Sequence, residues 1–481
     1  MNKYFLSILL TVTGSVILFA QADTEKQQIL QSLDANFETY AGMASQIWDY
    51  AELGFMEDKS TALLQDQLRE AGFRVEPGVA GMPTSFVAEY GSGEPVIGFL
   101  AEFDALPGVS QKAVPHPEAR AETNNGHACG HHLFGTGSVA AAVAVKDWLD
   151  RTGSSGTIRL YGTPAEEGGG GKIYMVREGL FDDVDAVLTW HPSSSNSAVA
   201  GSSLAVITVK FRFQGAAAHA AVAPWRGRSA LDGVEAMNYM VNLMREHVTP
   251  ETRIHYAITE GAEAPNVVPA FAEVYYIIRH DDMREVKDLF RRVVRAGEAA
   301  AMGTETNMEY EVITGYYNKM PNETLGRVLD TNLRMVGGVT YTEEERQFAK
   351  EIMTTYPSED LAPKSATEIT PFAVREKGRA STDVGDISWV TPTTSMGAAT
   401  WVPGTVAHSW QAVAAGGTSI GHKGMLVAAK TLALSAVDLF RDPAIAKKAQ
   451  AELEERRGTD FTYEALLGDR EPPLDYMRKK Q

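Results

Sequence analysis

Cysteine is nearly absent from this chain: Cys129 is the only one in 481 residues. No intrachain disulfide can form, so no cross-link holds the fold together. Basic side chains are scarce as well. The 44 Lys and Arg face 62 Asp and Glu, giving a formal net charge of −18. A nucleic-acid binder needs a basic surface to displace counterions, and this balance argues against one. A local basic pocket for a small anion stays compatible with it. Long apolar runs are missing after the first residues, so no later segment supplies the roughly 20 apolar residues of a membrane span. Apolar residues make up 44% and charged residues 22%. That composition excludes a disordered chain and a polytopic membrane protein. The length predicts two to three domain-sized units, because single cores stop growing at roughly 250–300 residues.

The chain starts with a short basic stretch, Met1–Lys3, and an apolar run, Tyr4–Phe19. Ala20-Gln21-Ala22 then offers a small-x-small cleavage site before Asp23. Residues 1–22 therefore read as a secretory signal peptide. The expectation is an exported protein, periplasmic or secreted, with no stable membrane span after cleavage. An uncleaved anchor is the alternative, for which the run is short.

Beyond residue 23 the apolar spacing alternates between helical and strand periods. Ile29, Leu33, Phe37 and Tyr40 mark one helix, and Leu63, Leu64 and Leu68 a second that stops at Gly72. Strand-like runs at 85–90, 96–102, 157–161 and 186–189 alternate with helices at 133–149 and 172–178. This predicts a layered α/β catalytic domain with a mixed, mostly parallel sheet, over residues 23–203. From 204 to 317 the order becomes β-α-β-β-α-β, the ferredoxin-like unit, read as an inserted α+β domain. Residues 318–481 return to the α/β domain. The stretch from Arg441 is highly charged and reads as a solvated helix with a loose end.

Four short clusters carry chemistry. They are Gly126-His127-Ala128-Cys129-Gly130-His131-His132, Pro164-Ala165-Glu166-Glu167, Trp190-His191-Pro192, and His408 within Gly404–Trp410. The second and third fall at strand ends, where open α/β sheets bind their ligands. Together they offer a thiolate, imidazoles and carboxylates, the donor set of zinc or a comparable divalent ion. Adjacent acids at a buried strand end are costly unless a cation or a shared proton compensates them.

Eight segments in order, AELGFMEDKS, EFDALPG, GHACGHHLFGTG, GTPAEEGGGGK, GAAAHAAVAPWRGRSALDGVEAMN, APNVVPAFAEVYYIIR, STDVGDISWVTPT and GTVAHSW, carry a resemblance over nearly all of the chain after residue 22. The sequence resembles the dinuclear metallopeptidases and amidohydrolases of the aminoacylase and carboxypeptidase type, in the branch where Cys-Gly-His replaces an aspartate ligand. One position departs from the pattern: His132 stands where relatives usually carry Asp or Asn.

The resemblance implies two divalent metal ions per subunit, manganese or zinc, held by Cys129, His131, Glu167, His191 and His408. It implies Glu166 as general base and Asp104 as the acid that orients a ligand. It also implies that residues 204–317 form a lid and dimerisation domain. There His219 would stabilise the oxyanion, and Asn266 and Arg279 would hold the carboxylate of a small-molecule substrate. The implied reaction is hydrolysis of N-acyl or N-aroyl amino acids, aryl amides of glutamate included, or of small dipeptides, by a homodimer. Two other readings use the same residues. Cys129 could be the nucleophile of a thiol hydrolase, or the protein could bind an exported solute without turnover. A thiol nucleophile leaves the paired acids and further histidines unexplained, and pure binding has no use for a base beside a ligand.

Overall fold

The computed structural model describes residues 24–356 and 365–478. The signal-peptide reading of residues 1–22 lies outside them. Helices cover 24–35 and Phe37–Tyr50, and a further helix covers Asp58–Glu70. The first sheet begins with β1 (Arg74–Pro77), β2 (Phe86–Ser92) and β3 (Val96–Ala101). It continues with β4 (Gly156–Gly162) and β5 (Ala186–Ser193). A second set follows: β6 (Ala205–Gln214), β7 (Arg253–Glu260), β8 (Phe271–His280) and β9 (Asn307–Tyr316). The last strand, β10 (Thr393–Ala399), returns to the first sheet.

The first sheet has the order β1-β2-β4-β3-β5-β10. Strands β4, β3, β5 and β10 run parallel, and β2 and β1 extend the sheet antiparallel at one edge. Strand β3 is buried at every position, as a central strand of a parallel sheet should be, and the helix His131–Thr152 packs on it. Two long helices, His131–Thr152 and Ser419–Arg441, pack side by side here. The first comes close because Gly135 has no side chain: a Cβ there would lie 2.7 Å from the Glu102 carbonyl oxygen.

This topology positions the site. Parallel strands bring their carboxyl ends to one side of a sheet. Glu102 follows β3 directly, Glu166 and Glu167 follow β4, His191 lies near the end of β5, and the loop after β10 leads to His408. Chain segments from four strands thus converge.

The second sheet has the order β7-β8-β6-β9, antiparallel throughout. Helices Ala230–Met244 and Met283–Thr304 cover one face, which is the expected ferredoxin-like order. Val209, Phe211, Val274, Met237 and Val293 belong to a core separate from that of the first sheet.

The loose charged tail is a misreading. The helix Ala444–Arg457 buries Ala446, Ala449 and Leu453. Beyond it, Leu466 and Leu467 are buried, and the Tyr463 hydroxyl donates to Asp386 at 2.8 Å. Arg470 donates to the carbonyls of Val312 and Ile313. The charge average hid a sparse set of apolar and aromatic anchors that fasten this segment to both cores.

Candidate active site

The Cys-Gly-His turn aims two donors the same way. Gly130 adopts φ +80°, and a Cβ there would strike Pro192 at 2.7 Å. Only glycine fits this turn. Cys129 and His131 then meet His191: the Cys129 Sγ lies 3.4 Å from His191 Nε2. The other nitrogen of His191, Nδ1, donates to the Pro192 carbonyl at 2.7 Å, which leaves Nε2 as a bare lone pair.

Asp104 organises the opposite side. Its Oδ1 accepts from His131 Nδ1 at 2.8 Å, and its Oδ2 accepts the Glu167 N–H at 2.9 Å. His131 Nε2 lies 3.1 Å from Glu102 Oε2, yet neither atom makes a well-formed hydrogen bond and both are buried. Burial alone would lower the His131 pKa, but Cys129, Asp104 and Glu102 around it raise it well above the usual range. Burial, together with Glu102, Glu167 and Asp383, pushes the Glu166 carboxyl well up. His408 Nε2 sits 3.1 Å from Glu167 Oε1, a contact that raises the His408 pKa.

The donor atoms fall into groups. Cys129, His131 and His191 lie within 4.8 Å of one another, as do Cys129, Glu167 and His408. The two triads share Cys129. A third group joins Glu102, His131 and Glu166. Soft sulfur, imidazole and carboxylate donors with unsatisfied buried atoms suit divalent ions such as zinc. Without such an ion, burial pushes the Cys129 thiol up, away from the reactive thiolate. That opposes the thiol-hydrolase reading.

Sequence reasoning missed the supports of this cluster. Lys172 is fully buried between Glu102 and Asp383, 2.7 Å from each. Glu57 accepts the Ala165 N–H at 2.9 Å and the Thr84 hydroxyl at 2.8 Å, and burial raises it to about 8. Tyr476 donates to the Glu167 carbonyl at 3.1 Å. Ala165 and His408 adopt left-handed backbone at φ +57° and +63°, conformations that cost a non-glycine residue energy and cluster at functional sites. Lys172 and Asp383 stood within two of the family-like segments, GTPAEEGGGGK and STDVGDISWVTPT, and that was the available signal. Glu57 stood within a third, AELGFMEDKS, whereas Tyr476 lay in none of them and gave no signal.

His132 is not among the metal donors. It is buried, donates to the Gly416 carbonyl at 3.0 Å and packs against the His127 ring. A cavity of about 550 Å³ opens over the cluster, lined by Glu102, Cys129, Glu166, Glu167, His191 and His408. His219, Asn266 and Arg279 do not line it. His219 and Asn266 are exposed on the second unit, where His219 Nδ1 accepts the Ala221 and Val222 N–H groups. Arg279 is half-buried on β8, and its Nε lacks a partner.

Strand-end convergence, paired acids and a thiolate–imidazole donor set define a metal-dependent hydrolase of amide bonds rather than a solute-binding protein. A family model described as peptidase family M20/M25/M40 matches residues 98–412, and the chain belongs to that family. It is similar to one subunit of the p-aminobenzoyl-glutamate hydrolase of Escherichia coli K12, at 42% identity over 447 residues, 88% of this chain and 93% of the relative. It is also similar to the Xaa-Arg dipeptidase of Mus musculus, at 30% identity over 451 residues, 90% of this chain and 93% of the relative. Its fold is shared with a solved dinuclear metal binding peptidase of Bacillus subtilis. The TM-score there is 0.57 at 17% identity, over 85% of this chain and 99% of that one.

Proposed function

We propose that this protein hydrolyses the amide bond of N-acyl or N-aroyl amino acids, aryl amides of glutamate among them, or of small dipeptides. The observation that carries the reading is the pair of donor triads sharing Cys129, with Glu166 grouped beside His131. Cys129, His131 and His191 would hold one ion, and Cys129, Glu167 and His408 a second, either manganese or zinc. Bound metal supplies Lewis acidity toward the amide carbonyl and a water acidic enough to ionise near neutral pH. Glu166 takes the proton of the attacking water and passes it to the departing amine nitrogen, a role worth roughly 10²–10⁴ in rate. Asp104 accepts the Nδ1–H of His131 and so turns Nε2 toward the donor cluster.

His219, Asn266 and Arg279 are assigned to the cavity of a second copy. His219 would stabilise the oxyanion, and Asn266 with Arg279 would hold the substrate carboxylate, for which the guanidinium fork is suited. A homodimer through the second unit is supported by its exposed apolar side chains, Trp225, Tyr239, Leu243 and Ile258, and by the edge of β7, which is unpaired among the described residues. The relative in Escherichia coli is named as a subunit, so sedimentation of the purified chain alone distinguishes a homodimer from one half of a mixed assembly.

We assign the protein to an exported compartment, periplasmic or secreted, on the pattern of residues 1–22. No helix among the described residues is long and apolar enough to cross a membrane.

The test is release of glutamate from p-aminobenzoyl-glutamate by metal-stripped protein, with manganese or zinc restored. Metal-dependent release supports the reading and names the ion. Failure with this compound and with a panel of N-acyl amino acids and dipeptides, at full metal content, overturns it.

A further inference from the structure

The lining of the active-site cavity divides by charge. Its acids are Glu102, Glu166 and Glu167, all within the metal-donor groups. Its cations, Lys319 and Arg379, come from other segments of the chain. Lys319 follows β9, and its backbone is fixed on both sides: its N–H donates to Ser203 Oγ and its carbonyl accepts from Ser202 Oγ, each at 2.8 Å.

The two lysines near this site contrast. Lys172 is neutralised by Glu102 and Asp383. The Lys319 ammonium has no carboxylate partner among the described residues, and burial alone lowers its pKa to about 8. A half-buried cation without a carboxylate partner, on a residue that lines a cavity, is a binding element for an anion. Ser381 lines the same cavity with a buried hydroxyl that has no partner, and exposed Arg379 stands beside it. Glu102, Glu166 and Glu167 are committed to Lys172 and the metal-donor groups, so they do not compete for this end.

We propose that Lys319 is a specificity-determining residue that binds a second carboxylate of the substrate, with Ser381 and Arg379 assisting, so that amides of dicarboxylic amino acids are preferred. This rests on the amidohydrolase reading above, in which Arg279 and Asn266 take the first carboxylate. An ammonium at this position disfavours substrates with a cationic side chain.

The test compares binding of glutarate and its monoamide, glutaramate, to the metal-loaded protein by calorimetry. Each probe offers one carboxylate to the metals, and only glutarate has a second. Wild type binds glutarate about tenfold more tightly, the scale of one charge-assisted hydrogen bond. Lys319→Met binds both alike at unchanged metal content, and Lys319→Arg restores the preference. Lys319→Gln serves if the Met variant fails to fold. A glutarate preference that persists in Lys319→Met, or is absent from wild type, overturns the proposal. A Lys319-dependent preference in a protein that turns over no amide refutes the hydrolase reading and keeps the anion site. Turnover with equal affinities in wild type does the reverse. With active protein, Lys319→Met raises KM for N-acyl glutamate over N-acyl glutamine and leaves kcat nearly unchanged.

Discussion

The Nδ1–H of His131 donates to Asp104 Oδ1 at 2.8 Å, and this bond decides which His131 nitrogen faces the donor cluster. The second oxygen of Asp104 holds the Glu167 N–H. One carboxylate thus orients a residue from each triad. Replacing Asp104 with Ala is expected to weaken metal affinity by about 10–100-fold, the usual cost of losing a ligand's orienting partner. Metal titration of the apo-protein checks this, and unchanged affinity would remove the orienting role.

In the proposed site Cys129 belongs to both triads, which makes the five donors unequal. Cys129→Ala is expected to deplete both ions, whereas His191→Ala and His408→Ala each deplete one. Elemental analysis of the three variants after dialysis reads the stoichiometry. Equal losses in all three would show that the triads do not share the sulfur.

Glu166→Gln keeps the shape of the side chain and removes its basicity. Turnover is expected to fall by roughly 10²–10⁴ while metal content and substrate affinity hold. Near-normal turnover would move the proton-transfer role elsewhere.

His132 gives the stability a pH dependence with a defined sign. Burial, then the neighbouring His127, holds its pKa well below 6.5 in the folded protein. The unfolded chain binds a proton near pH 6.5, and the folded one does not. Stability from this residue is therefore fully present above about pH 6.5 and declines as the pH falls below it, by about 1.4 kcal/mol per pH unit. His132→Asn is expected to flatten the acid limb by that slope in denaturant titrations between pH 6.5 and 5. An identical slope in both proteins would contradict it.

The ligand candidates were legible because each sits in a short motif, two of them at strand ends and one at the start of a long helix, where chemistry is local in sequence. The strand and helix order was legible for a similar reason: β3 is one apolar run, and the unit from β6 to β9 alternates cleanly. What escaped was pairing across long separations. Lys172 with Asp383, Glu57 with Ala165, and Tyr476 with Glu167 each join residues more than 100 positions apart. No periodicity encodes such a pairing. Lys319 escaped because a lone lysine after a strand looks like any solvated side chain until the cavity is seen. The tail was misread because Ala446, Ala449 and Leu453 are too sparse among charges to register as a buried stripe.

Tyr476 lies 309 positions beyond the carbonyl it holds. The loop bearing Glu166 and Glu167 is therefore braced by a segment that the ribosome delivers long after the loop itself. A growing chain carries every candidate ligand before it carries this brace. The hydrogen bond that braces this loop can form only once residue 476 has been made, so a defect near Tyr476 reaches a loop encoded far upstream.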